Sequence, residues 1–210
     1  MKIDTTGMTA QSEIDRLTKQ LAKISPFGFF YALHFRFALP LMHFQSYPAS
    51  WTDQYTEQAY ALRDPIIAWG FGQTGVARWS EINIPDPFDI LGQARQHGME
   101  YGFAVSCGPI KSRTIASGAR QDREFEDSEI DAFKRIVLQM HDLTEPPKSL
   151  TPAQVEALRL IAGGDRHAAA AAKLNISESA LKARLTSARN SLKARTTADA
   201  IQRARNYRLL

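Results

Sequence analysis

Residues 166–175 read RHAAAAAKLN, and residues 176–192 continue ISESALKARLTSARNSL. This stretch limits the fold of the chain's end more than any other. The five alanines, Ala168 to Ala172, favour a helix. Asn175 tolerates the left-handed backbone that ends a helix. Ser177 can cap the next helix, and Glu178 suits its positive first turn. A short helix, a three-residue turn and a longer helix make a helix-turn-helix pattern. Two helices crossing at so tight a turn must approach closely. The alanines are therefore read as a packing surface, with Ala171 at the closest approach and Leu181 packing back. A run that merely favoured helix would explain neither the turn nor the basic helix after it. Upstream, LTPAQVEALRLIAGG predicts another helix. Thr151 caps it, Pro152 takes its first position, Gln154 completes a capping box, and Gly163 and Gly164 stop it. Asp165 is expected to cap the alanine helix, and Thr197 a fourth helix.

On a wheel of about 100° per residue, the helix after the turn buries Leu181, Leu185, Ala188 and Leu192. Its other face carries Ser179, Lys182, Ala183, Thr186 and Asn190, with Arg184 and Arg189 on the flanks. A helix in the major groove needs such a short-chained, polar, basic surface. Lys182 and Thr186 are one turn apart and could reach base edges, and Ala183 could meet a thymine methyl group. The arginines could hold phosphates, which fixes register without reading sequence. The plainer reading is a solvated helix face.

Charge distinguishes these readings. Residues 149–210 hold 11 Lys and Arg against 4 Asp and Glu, a net +7, whereas residues 1–148 hold 15 against 18, a net −3. A small basic segment on a larger acidic body suggests a polyanion-binding module, or else a surface rich in arginine; together with the turn pattern it points to double-stranded DNA as a partner of the former. The boundary lies at TEPPKSLT, residues 144–151, where two prolines break the preceding helix. The expected organisation is a domain at 1–143, a linker at 144–149 and an all-α helix-turn-helix domain at 150–210.

The larger part mixes helix and strand in an α+β pattern, with strands in runs and helices at both ends. EIDRLTKQLAKI puts Ile14, Leu17, Leu21 and Ile24 on one helical face. FGFFYALHFRFALPLMHFQSY reads as two strands with a turn near Pro40. Residues 48–62 and 64–70 read as helices opening at prolines. DPFDILGQARQHG is a short helix stopped by Gly98, and GFAVSCGPIKSRTIASGAR is strand, turn, strand about Gly108-Pro109. EDSEIDAFKRIVLQMHDL is an amphipathic helix with Ile130, Phe133, Val137 and Met140 on one face, a candidate interface together with 198–207.

Two stretches resemble known families. Residues 150–210 are similar to the DNA-binding domain of LuxR-type transcription regulators: LTPAQVEALRLIAGG, the alanine helix, ISESALKARL and a last helix ending YRLL. The family usually has Arg-Glu at Ala153-Gln154, a large aliphatic at Ala170 and glycine at Asn175. The stretch YPASWTDQYTEQAYALRDPI resembles the autoinducer-binding domain of the quorum-sensing LuxR branch, through Tyr47, Trp51, Tyr55, Asp64 and Pro65, then Trp79 in ARWSEI and Gly102 in HGMEYGF. The resemblance implies an antiparallel sheet between helical layers and N-acyl homoserine lactones as ligands. Such a lactone offers an amide N–H, carbonyl oxygens, a ring and an apolar chain. Asp64 can accept the N–H, Trp51 can donate to the lactone carbonyl and Tyr47 to the acyl carbonyl. Tyr55 and Trp79 supply aromatic walls, and Ser117 in TIASGA aligns with a polar family position. Asp64-Pro65 is also a good helix start, and the aromatics also suit a core.

No catalytic constellation, metal site or cofactor motif emerges, so the chain does not read as an enzyme. GFGQTG, residues 70–75, matches a dinucleotide fingerprint but follows a helix rather than a strand. The five histidines show no metal spacing. One cysteine, Cys107, excludes an internal disulfide and fits a reducing cytosol. No apolar run approaches the roughly 18 residues of a membrane span, and the N-terminus lacks a signal peptide's apolar core. The expectation is a cytoplasmic homodimeric regulator with DNA, a lactone signal and RNA polymerase as partners and no membrane. The alternative is a ligand-independent regulator whose first domain only dimerises.

Overall fold

The alternation of apolar residues in FGFFYALHF and the Gly-Pro turn between two further apolar runs place three strands side by side. The computed structural model describes residues 10–36, 39–145 and 150–210. They fall into two compact units, Met1–Glu145 and Pro146–Leu210.

In the first unit the elements run α1 (Ala10–Ile24), β1 (Gly28–Arg36), β2 (Leu39–Gln45), α2 (Ala49–Glu57), α3 (Pro65–Gly72), β3 (Gly75–Arg78), α4 (Ile90–Gln96), β4 (Tyr101–Cys107), β5 (Arg113–Arg120) and α5 (Asp127–Leu143). The strands form one sheet ordered β2-β1-β5-β4-β3, with every neighbouring pair antiparallel. Strand alternation divides it into two faces. On one, Phe29, Tyr31, Leu33, Phe103 and Val105 meet Ile14, Leu17 and Leu21 of α1 and Ile130, Phe133, Val137 and Met140 of α5. Phe103 stands edge-on to Phe125 and Phe133, with centroids 4.6 and 4.9 Å away. Burying each such side chain contributes roughly 1.5–3 kcal/mol. On the other face, Ala104 and Ala119 meet the aromatics of α2 and α3 and of the segments after them. This is the antiparallel sheet flanked by helices that the resemblance implied.

Several sequence expectations need correction. Pro40 lies within β2, paired with Phe35, rather than at the turn. An edge strand tolerates a proline because its lost N–H faces away from the ladder. Residues 37–38, between the two strands, lie outside the described residues. Residues 48–62 are not one helix: α2 ends at Glu57, Ala59 takes a left-handed φ of 51°, and a 3-10 turn follows at Tyr60–Leu62. The short strand β3 has too little pattern to stand out in sequence. Ile130, Phe133 and Val137 are buried within the unit, so that face of α5 is core and not an interface. Of the expected linker, 146–149 lies outside the described residues.

The second unit contains α6 (Pro152–Ala162), α7 (His167–Lys173), α8 (Glu178–Ser191) and α9 (Thr197–Asn206). Thr151 and Gln154 form the expected capping box, Asn175 has a φ of 51°, and Ser177 accepts from the Ala180 N–H at 3.2 Å. Two caps differ. Arg166, not Asp165, precedes α7, and the Asp165 carboxylate instead takes Lys173 Nζ at 2.8 Å. Thr196, not Thr197, caps α9 by accepting from the Asp199 N–H. Ala170 and Ala171 are buried against a core containing Leu158, Leu181, Leu185, Ala188, Leu192, Ala200 and Ala204. The other three alanines of the run are exposed, so only two of the five are packing surface.

Candidate functional site

Asp64 opens α3 because its side chain accepts from the Ile66 N–H at 2.7 Å and Pro65 fits the first helical position. The same carboxylate accepts from the Tyr55 hydroxyl at 2.6 Å. Asp64 is 5 % exposed. Burial pushes its carboxyl above the usual range, while the Tyr55 hydroxyl and the backbone N–H groups of Ile66 and Ile67 hold it down. Burial, and then the Asp64 charge, push the Tyr55 phenol up as well.

The strand β5 supplies a second polar centre. The Trp79 indole donates to Ser117 Oγ at 3.0 Å, Ser117 Oγ donates to the Phe103 carbonyl at 2.7 Å, and the Tyr47 hydroxyl donates to the Ser117 carbonyl at 3.0 Å. The two centres adjoin one cluster, because Tyr47 and Trp79 of the second pack into the same core as Tyr55, the partner of Asp64. Gly102 is needed here: the Trp79 ring lies directly over it, and a Cβ would overlap the indole.

Trp51 closes the group from α2. Its ring lies 5.6 Å from Tyr55, 6.0 Å from Tyr60 and 5.5 Å from His97. Among the described residues its indole N–H has no acceptor. All six residues singled out in the sequence, Tyr47, Trp51, Tyr55, Asp64, Trp79 and Ser117, therefore meet on one face of the sheet. Tyr55 and Trp79 are more than walls, since each donates a hydrogen bond within the site.

Sequence reading missed Tyr60, Trp69, Gln93 and His97. Tyr60 and Trp69 belong to the aromatic cluster. Gln93 accepts from Tyr60 at 2.7 Å, and His97 bridges Ser50 and Gln54 at 3.0 and 2.9 Å. These polar side chains tie α4 to α2 across the aromatic cluster. No sequence signal marked Tyr60, because nothing at Gln58-Ala59 announces the helix break. An open groove between α1 and β2, at Thr18, Lys19, Tyr31 and Phe44, lies on the opposite face of the sheet.

The autoinducer-binding domain family model matches residues 12–142. The chain belongs to that family. The match covers most of the first unit, and the site lies inside the matched segment. The fold has solved neighbours. Escherichia coli SdiA superposes with a TM-score of 0.53 at 18 % identity, covering 96 % of this chain and 92 % of SdiA. SdiA in complex with octanoyl-rac-glycerol superposes at 0.51 and 18 %, covering 95 % and 88 %. The N-acylhomoserine lactone dependent LuxR-family factor CepR2 from Burkholderia cenocepacia aligns at 0.49 and 18 %, covering 64 % and 82 %. Among curated proteins no sequence match is found. The matched family is defined by the binding of an autoinducer signal. No described helix is long and apolar enough to cross a membrane.

In the second unit, Ser179, Lys182, Ala183 and Thr186 are exposed along one side of α8, and Arg184 and Arg189 are half-buried at its flanks. Arg189 Nη2 donates to Thr186 Oγ1 at 3.4 Å. Gln154 Nε2 donates to Ser187 Oγ at 2.8 Å, tying the cap of α6 to the middle of α8. The GFGQTG stretch runs from the end of α3 into β3, helix before strand, the reverse of the order a dinucleotide turn requires.

Proposed function

We propose that the chain is a dimeric, cytoplasmic transcription regulator of the LuxR type. Residues 1–143 receive a signal of the N-acyl homoserine lactone class and carry the dimer contact, 144–149 link, and 150–210 bind double-stranded DNA. The observation that carries the reading is the convergence of Asp64, Tyr47, Trp51 and Ser117 on one sheet face within the family's matched segment. A lactone needs one acceptor for its amide N–H and donors for its carbonyls. Asp64 supplies the acceptor, and Trp51 and Tyr47 the donors. That a structural neighbour is recorded with octanoyl-rac-glycerol supports an acyl chain as the apolar half of the ligand. For DNA, the support is the exposed Ser179, Lys182, Ala183 and Thr186, flanked by Arg184 and Arg189 in a stretch, residues 149–210, of net charge +7. RNA polymerase is the further partner of such a regulator.

One observation favours a second reading, a ligand-independent regulator. Asp64 and Tyr47 already find partners within the protein, and Trp51, Tyr60 and Trp79 fill the space beside them. Mass spectrometry on the organic extract of purified protein separates the two. The first reading predicts a stoichiometric acyl lactone after expression with the signal present. Repeated preparations with no bound small molecule favour the second.

A further inference from the structure

Arg113, the first residue of β5, is 7 % exposed, and its Nε and Nη1 are buried with no hydrogen-bond partner. It forms no ion pair with any described carboxylate. A guanidinium keeps its charge at any pH a protein meets, and a buried charge without a partner is strongly unfavourable. Strand alternation sets Arg113 on the same face as Ile115 and Ser117, so it belongs to the face that carries the lactone-site residues. It stands four residues from Ser117, about 13 Å along the strand. Its register partner Phe35 packs on Phe71 near the end of α3, centroids 5.0 Å apart. Asp64 opens the same helix, so Arg113 lies at the far end of the seam between α3 and β5.

We infer that Arg113 receives an anionic group at the distal end of the signal's acyl chain. The inference rests on the lactone reading of this face and specifies its ligand: a lactone head at Asp64 and Trp51, an apolar span, and a carboxylate-type terminus. A plain alkyl chain would end against a bare guanidinium and leave its charge unanswered. A terminal carboxylate would accept a charge-assisted hydrogen bond from the unpartnered Nε or Nη1.

The test titrates the full chain with three probes at constant ionic strength. They are N-octanoyl homoserine lactone, its ω-carboxylated counterpart N-(7-carboxyheptanoyl) homoserine lactone, and suberate, the diacid alone. Wild type and Arg113→Met are compared by calorimetry and thermal melting, and Arg113→Gln repeats the comparison without the charge. The expected result is at least tenfold tighter binding of the carboxylated lactone by wild type, a preference reversed in Arg113→Met. Without any probe, Arg113→Met should melt at or above the wild-type temperature. Equal or tighter binding of the octanoyl lactone, with a ratio unchanged by Arg113→Met, would overturn the inference and leave the lactone reading standing. Both variants melting well below wild type would also overturn it, because the guanidinium would then have a structural partner. Suberate binding that depends on Arg113, with neither lactone bound, supports the anion site and overturns the lactone head. No response to any probe overturns both.

Discussion

At the residue scale, Asp64 joins a structural duty to a chemical one. It caps α3 through the Ile66 N–H, and it presents a carboxylate to Tyr55 inside the aromatic cluster. Its pKa is raised, mainly by burial. The folded protein therefore holds the Asp64 proton more tightly than the unfolded chain does, and the linkage has a definite sign. The stability this group contributes is fully present below the unfolded value of about 3.9 and is lost as pH rises through the higher folded value. Asn caps helices about as well as Asp and has no proton to lose. Without ligand, Asp64→Asn should therefore be more stable than wild type at neutral pH, and the gain should vanish near pH 4. Melting temperatures of both proteins across pH 4–8 check this, and a variant less stable than wild type at pH 7 would contradict it.

Single elements differ in how plainly the sequence announces them. The helix α8 was fully legible, because Leu181, Leu185, Ala188 and Leu192 repeat at helical spacing behind a serine cap, and all four are buried. If its exposed side reads DNA, Lys182→Ala or Thr186→Ala should relax sequence preference and cost about 1–3 kcal/mol at the cognate site. Arg184→Ala or Arg189→Ala should weaken all sequences alike and flatten the salt dependence. Binding assays over a set of operator variants and salt concentrations decide, and an unchanged preference in the Lys182 and Thr186 variants would sink the assignment. The site elements were only partly legible. Tyr47, Trp51, Tyr55, Asp64, Trp79 and Ser117 could be picked out by resemblance. That they share one face depends on pairings such as Ala104 with Ser117, which no local pattern encodes. Arg113 escaped because a lone arginine reads as surface, and only its burial gives it meaning. The α2 break at Ala59 escaped because no glycine or proline marks it.

For the whole molecule, composition divides the chain into an acidic stretch to residue 148 and a basic one from 149, and the structure falls into two compact units, Met1–Glu145 and Pro146–Leu210. One recognition helix reads few base pairs, so the proposed regulator should present two to a near-palindrome, with half-site centres about 34 Å apart. Sedimentation of the protein with its operator should give two chains per site, and one chain per site at full affinity would contradict the dimer. With the Ile130, Phe133 and Val137 face buried, the surface for such a contact lies elsewhere on the chain. In the proposed receptor, the Asp64 carboxylate of the first unit grips an acyl lactone. A hydrogen bond to a charged group is worth roughly 1.5–3 kcal/mol, so removing the charge should weaken binding about tenfold or more. The direct measurement titrates a panel of N-acyl homoserine lactones, plain and ω-carboxylated, against wild type and Asp64→Asn, following thermal stability. The expected result is dose-dependent stabilisation of wild type by at least one lactone, with the response shifted at least tenfold in Asp64→Asn. No stabilisation of wild type by any lactone, while the protein still binds its operator, would contradict it.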